Sequence, residues 1–382
     1  MAKESIENLE TSSGKPRLAA LDSLRGLASL AVLLGHTLSV CAWDTSFSRW
    51  FLINNAFDGR SAVTMFFVLS GFVLTLGHLG NPARPLHVIP FYARRITRIW
   101  LPWFVFFLLS LVARNFFFHI PAETIPPLSH HHLSFWQHDL TLVDFLKQAV
   151  FKLHDPQRLL LPQDWSLGVE LRASALIPIF LILGRKSWIA LIATAMLIVW
   201  LKPYGGYYYA SFAIGILAAR VYSAGVGQRQ GLVFFLVGAM LYQFRWLCTA
   251  AYSPPQGPAE GDVWLVGAFG CALVILGILR SRKLRTLLEH TILIQLGRIS
   301  YSLYLLQVIV LLCIAPWVIK GLNSIGLVSE IWLQFLLLLA VSAVCIPLAH
   351  FGEQRIEVPC IRLGKSVTRR LELLAQVKRF KI

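Results

Sequence analysis

Charge is what this chain has least of. Only 14% of its 382 residues are charged, and the 19 Asp and Glu are outnumbered by 35 Lys and Arg. So little charge over this length excludes an ordinary soluble domain, and the 56% hydrophobic content with mean hydropathy +0.64 points to a membrane protein. Cysteine is scarce too. The six, at 41, 248, 271, 313, 345 and 360, show no paired spacing and fall mostly in apolar runs. They read as small buried hydrophobes, with neither a disulfide framework nor a metal site indicated. Residues 1–19 are polar and mixed in charge with no apolar core of their own, so no signal peptide is visible and the first span is expected to stay in the protein. No internal repeat and no second domain is found. The excess of +16 has no soluble basic domain to occupy, which argues against nucleic-acid binding.

What the chain does have is a series of apolar runs. Ten are long enough or nearly long enough to span a bilayer: about 20–42, 62–80, 98–119, 167–184, 187–201, 204–222, 229–250, 262–279, 292–318 and 329–351. The expected fold is therefore all-α, a polytopic membrane protein with about ten transmembrane helices. Three parts follow: an N-terminal segment 1–19, a transmembrane domain 20–352, and a basic tail 353–382. The tail, partly amphipathic from Arg362 on, is expected to lie on the membrane surface. Lys and Arg gather in alternate connections, including Arg94, Arg95 and Arg98, Arg280 to Arg285 and the C-terminal set. Both termini are then cytoplasmic and the long segment at about 120–165 is external. Most of the net charge is topology plus attraction to an anionic leaflet.

The first span carries the sharpest signal. Asp22 and Arg25 stand at its polar mouth, and His36 is an ionisable group inside the apolar run. An intramembrane imidazole is a functional hypothesis by default. From 25 to 36 a helix rises about 16 Å and turns to within about 20° of the same face. A cation at the mouth and a base near the bilayer centre thus share one line. Arg25 either contacts a ligand or pairs with Asp22 to fix the helix end.

Further segments join it in order: Phe66-Phe-Val-Leu-Ser-Gly-Phe72, Arg95-Ile-Thr-Arg98, Trp165-Ser-Leu-Gly-Val-Glu170, Ser300-Tyr-Ser-Leu-Tyr-Leu-Leu306 and Glu357-Val-Pro359. With Leu21-Asp-Ser-Leu-Arg25 to His36, this set resembles the acyltransferase 3 family of integral membrane acyltransferases over about 20–365. The resemblance implies transfer of an acyl group, commonly acetyl from acetyl-CoA, to a carbohydrate hydroxyl at the cell envelope, with no metal. It also implies a bacterial inner-membrane location, with acyl-CoA, a carbohydrate or glycolipid acceptor and lipids as partners. The chain departs from the family pattern after Glu170, where Leu-Arg-Ala-Ser follows, and at Gln307, where a histidine is frequent.

Physical reading of these residues fits that chemistry. A polyanionic thioester needs cations where it enters, and Arg94, Arg95, Arg98 and Arg25 are the expected donor-binding set. The same arginines could instead only obey the positive-inside rule. His36 is expected to act as general base or acyl-carrying nucleophile, against the alternative of a core histidine bonded to a carbonyl. Glu170 is expected to bind the acceptor or orient His36, together with Trp165 as acceptor contact. Its bland alternative is an ion pair with Arg172 or Arg158. Ser70 and Gly71 read as a packing wall beside His36. The run His130-His-His132 reads as solvated loop, and Tyr207-Tyr-Tyr209 as an interfacial belt. The rival from another class is a transporter or flippase of a lipid-linked saccharide, a reading for which neither internal symmetry nor paired broken helices are found.

Overall fold

The computed structural model describes residues 18–40, 59–81, 86–118, 135–136, 138–153, 155–201, 206–227, 229–244, 258–326 and 330–379. Among them every regular element is helical. In a bilayer this follows from the need of each backbone N–H and C=O to find its partner within its own segment. Each of the ten apolar segments coincides with a helix. They are α1 (Ala19–Leu38), α2 (Gly59–Leu79), α3 (Val88–Arg95) running through a π turn Ile96–Trp100 into α4 (Leu101–Phe117), and α6 (Asp164–Lys186). Next come α7 (Trp188–Leu201), α8 (Gly206–Ser223), α9 (Gly231–Tyr242) and α10 (Pro258–Arg280). The last are α12 (Thr291–Ser324) and α13 (Glu330–Gly352), the latter continuing through a second π turn, Glu353–Glu357, into α14 (Val358–Arg379). Short helices α5 (Leu142–Ala149) and α11 (Arg282–Leu288) and a 3-10 turn, Pro156–Arg158, complete the set. Six of these runs are long and apolar enough to cross a membrane, while α7 and α9 are apolar but shorter.

Small residues let the helices meet backbone to backbone, as association in lipid requires, since burial of apolar surface drives little there. Gly26 of α1 and Gly297 of α12 face each other, and a Cβ on Gly26 would fall 2.6 Å from the Gly297 nitrogen. Gly71 of α2 and Gly215 of α8 interlock in the same way, each against a carbonyl oxygen of the other helix, Phe212 and Val68. Gly71 therefore forms part of a wall against α8, while Ser70 faces α6, where its hydroxyl donates to Glu170. The contact of Gly26 with Gly297 and the bond from Ser29 to the Ser300 carbonyl (2.9 Å) show that α1 and α12 run in the same direction, and Ser23 ties α1 to α11 through the Leu288 carbonyl (2.5 Å).

Three boundaries differ from the sequence reading. The third span begins at Val88 rather than 98, so Arg94, Arg95 and Arg98 lie within a 30-residue helical run. Hydropathy averaged across three arginines hides that. The tail does not start a new element at 353: the run Trp332–Leu373 is helical throughout, and α14 lies across α3, with Gly364 seated on the Thr97 side chain. Third, the described part of the 120–165 segment is no free loop. The Trp100 indole donates to the Ala149 carbonyl (3.0 Å), and Phe145 and Phe151 pack on Phe107 and Trp103. Helix α5 is inverted: Asp144 and Gln148 point inward, while Leu142, Val143 and Leu146 are exposed. The buried polar groups are satisfied, Asp144 by Thr141 and Arg158 (2.7 and 2.9 Å) and Gln148 by Asp164 (2.9 Å). An exposed apolar face over a satisfied polar one suits contact with lipid. In a chain cleared of native cysteines, Leu146→Cys in intact membranes is expected to resist an impermeant maleimide, while Asp139→Cys labels at once. Equal labelling would place this face in water.

Candidate active site

The described helices enclose a cavity of about 260 Å³ at the end of the bundle where α1 begins. Six cations line it, Arg25, Arg95, Arg98, Arg298, Arg362 and Lys365, against four carboxylates, Asp22, Glu170, Glu353 and Glu357. Each charged row reaches the cavity for a local reason. Arg25 projects from the first turns of α1 with Asp22 3.7 Å away, the pairing expected for residues three apart. Arg95 ends α3, and Arg98 sits in the π turn that follows. Glu353 and Glu357 open and close the other π turn. Single π turns inside α-helices are frequent at functional sites, because the extra residue turns side chains to a face that α geometry would deny them.

The centre of the cavity is a tight polar junction. Arg95 Nη2 donates to Glu170 Oε1 at 2.7 Å and to Ser174 Oγ at 2.9 Å, and Ser70 Oγ donates to the same Glu170 oxygen at 3.1 Å. The partner of Glu170 is thus Arg95, and neither Arg172, which bonds Tyr209 (3.1 Å), nor Arg158, which bonds Asp144. The pair is mostly shielded, with 11% and 19% of the two side chains exposed. Across the cavity Glu357 accepts from the Ser302 backbone N–H (2.9 Å) and from its hydroxyl, and Tyr301 donates to the Ile99 carbonyl (2.6 Å). These bonds tie α12 to the two helices that carry π turns.

Ser166 and Tyr304, hydroxyl to hydroxyl at 2.7 Å, also line the cavity. Beyond them lie Gln163, whose Nε2 donates to the Leu305 carbonyl (2.8 Å), and the buried Gln307. The parallel course of α1 and α12 fixes the depth of His36. From the Ser29–Ser300 bond both chains advance seven residues, about 10 Å, to His36 and Gln307, one turn past Tyr304. His36 stands in the last turn of α1 with its Nδ1 shielded from solvent. It is not among the cavity-lining residues, and the Ser166–Tyr304 pair lies at a depth between the two.

Of the residues singled out from sequence, the structure therefore gathers Arg25, Arg95, Arg98 and Glu170 around one cavity and sets His36 deeper in the bundle. Arg94 points elsewhere, exposed and 3.9 Å from Glu372. Trp165 packs on Tyr208, ring centroids 5.1 Å apart, and Tyr208 on Trp264 and Phe67. His130 to His132 lie outside the described residues. Sequence reasoning missed Arg298, Glu353, Arg362 and Lys365, and gave Glu357 no role. The signal for the last was a carboxylate set between the apolar Ile356 and Val358.

A multi-helix membrane bundle with a mixed-charge cavity and a histidine beyond its inner end defines a class, a membrane-embedded transferase or carrier. The sequence decides between them: residues 18–350 match the acyltransferase domain of the acyltransferase 3 family, and the chain belongs to that family, as a multi-pass membrane acyltransferase. No curated protein and no solved structure matches it.

Proposed function

We propose that the chain moves an acyl group, acetyl in the first instance, from a cytoplasmic CoA thioester to a hydroxyl of an envelope or exported carbohydrate. The observation that supports this reading most is the convergence of Arg25, Arg95 and Arg98 on one cavity at the bundle end that carries the basic tail. With the termini cytoplasmic in an inner membrane, a polyanionic donor meets these guanidiniums first. In this reading Glu170 holds Arg95 in place from behind, its carboxylate engaged by Arg95 and Ser70.

The acyl end of the donor then extends past Ser166 and Tyr304 to the level of His36. His36 takes the proton of the acceptor hydroxyl, the alkoxide oxygen bonds to the thioester carbonyl carbon, and the carbon–sulfur bond breaks. The departing thiolate takes up the proton. An imidazole, whose ordinary pKa lies near neutrality, suits this base role.

The test uses purified full-length protein in lipid nanodiscs with acetyl-CoA and an envelope glycan extract, following release of free CoA. Wild type is expected to turn over, and His36→Ala to fall at least about 100-fold, the usual contribution of a positioned base. Equal rates would remove His36 from the chemistry. No CoA release from wild type would remove the donor.

A further inference from the structure

Two hydroxyls on the cavity wall hold more hydrogen-bonding capacity than the packing of their helices uses. Ser166 Oγ of α6 and Tyr304 Oη of α12 lie 2.7 Å apart, both side chains buried and both lining the cavity. Besides one another, the described residues offer their two protons one acceptor, the Gln163 carbonyl, 3.0 Å from Ser166 and 3.3 Å from Tyr304. That oxygen also takes the Ser166 backbone N–H at 3.4 Å, and a carbonyl has only two lone pairs. Ser166 therefore keeps the carbonyl, and the phenol proton rests on Ser166 Oγ. A neutral hydroxyl yields that proton to an oxygen carrying negative charge, which accepts more strongly.

The two helices do not depend on this phenol to stay together. Gln163 Nε2 donates to the Leu305 carbonyl at 2.8 Å and to the Tyr304 carbonyl at 3.3 Å, and Gln307 Nε2 donates to the same Tyr304 carbonyl at 3.1 Å. These amides fix the turn of α12 that carries Tyr304, and Phe66 of α2 meets its ring edge to face, centroids 5.9 Å apart. The phenol is thus a neutral donor on a held ring, between the guanidiniums of Arg25, Arg95 and Arg98 and the level of His36. Donors fixed in advance, in a place shielded from water, stabilise charge that develops during a reaction.

We infer that Tyr304 is a catalytic residue whose hydroxyl donates to the thioester carbonyl oxygen of the donor. The inference rests on the acyl-CoA reading of the preceding section. When the alkoxide oxygen bonds to the carbonyl carbon, the π electron pair moves onto the carbonyl oxygen, and the Tyr304 bond strengthens as that charge grows. The pair returns as the carbon–sulfur bond breaks, and Tyr304 keeps its proton throughout. Ser166 is a positioning residue that holds the phenol until the donor arrives.

Steady-state kinetics of full-length protein in nanodiscs, with acetyl-CoA and the glycan extract, test it. Tyr304→Phe, which keeps the ring, is expected to lower kcat at least about 100-fold, the usual cost of one oxyanion donor, with KM for acetyl-CoA unchanged. Ser166→Ala is expected to lose far less, because the phenol keeps its proton. A Tyr304→Phe rate equal to wild type, a loss confined to KM, or equal losses in the two variants overturns the assignment while leaving acetyl-CoA as donor. Infrared spectra provide a reading that needs no change at Tyr304. Acetyl-CoA isotope-labelled at the thioester carbonyl and bound to the His36→Ala protein is expected to show its carbonyl stretch below the free value, and added Tyr304→Phe to return it. An unshifted stretch in the His36→Ala protein also overturns the assignment. No CoA release from wild type overturns the donor reading and this inference together.

Discussion

Arg95→Ala is expected to show the largest loss of any single cavity substitution. Removing the guanidinium leaves the Glu170 carboxylate, now served by Ser70 alone, in a mostly shielded place, while Ser174 loses the Arg95 donor but keeps its bond to the Glu170 carbonyl. Deleting one partner of a buried pair costs about 3–5 kcal/mol, and the residual exposure here favours the lower end. Thermal unfolding in detergent should fall accordingly, and CoA binding should become undetectable. Arg95→Ala with Glu170→Gln should recover most of the stability, because the stranded charge is gone, but none of the binding. If the single variant binds CoA as wild type does, Arg95 serves only the fold. Arg95→Lys should bind weakly, because an ammonium can satisfy Glu170 but cannot present a planar fork to phosphate.

The second large effect is expected from a single methyl group. At Gly71 an added Cβ would overlap the Phe212 carbonyl oxygen, and at Gly215 the Val68 carbonyl oxygen, both backbone atoms that cannot swing aside. Either Gly→Ala change must push α2 and α8 apart along a shared seam. Overpacking of this kind commonly costs about 1–3 kcal/mol, and rigid backbone on both sides places these positions at or above the upper end. Separation of the helices would also move Ser70 off Glu170. Gly267→Ala is the matched control: nothing lies within 4 Å of its would-be Cβ, so the change should be neutral or stabilising by up to about 1 kcal/mol. Thermal unfolding of the three variants checks this, and equal behaviour would show that the α2–α8 seam is loose.

Much of this molecule can be read from residue type and spacing alone. Hydropathy locates the apolar helices among the described residues, because in lipid a helix satisfies every backbone polar group within its own segment. Arg25, Arg95 and Arg98 are legible for the converse reason, as arginines adjoining apolar runs demand an explanation. The contact between Glu170 and Arg95 is not legible, because it joins residues 75 positions apart through the packing of two helices. Arg158 and Arg172 are nearer in sequence but face other partners. Helix α5 escapes for a different reason: its pattern is amphipathic, but which face turns inward depends on whether lipid or water lies outside. The wall formed by α14 is hidden by its composition, since a run rich in Arg and Lys after the last apolar span looks the same whether it lies on a surface or closes a cavity.

The two π turns carry a consequence for how the chain can vary in length. A π turn accommodates one residue more than an α turn. Losing one residue within Glu353–Glu357 can therefore be absorbed by reversion to α geometry, with everything after it keeping its direction. Losing one residue between 359 and 361 has no such reserve. It would rotate the remainder of α14 by about 100° and carry Arg362 and Lys365 off the cavity. The same asymmetry holds between Ile96–Trp100 and the regular turns of α4 that follow. Length changes along these two helices should thus be confined to the short stretches where the charged side chains themselves reside.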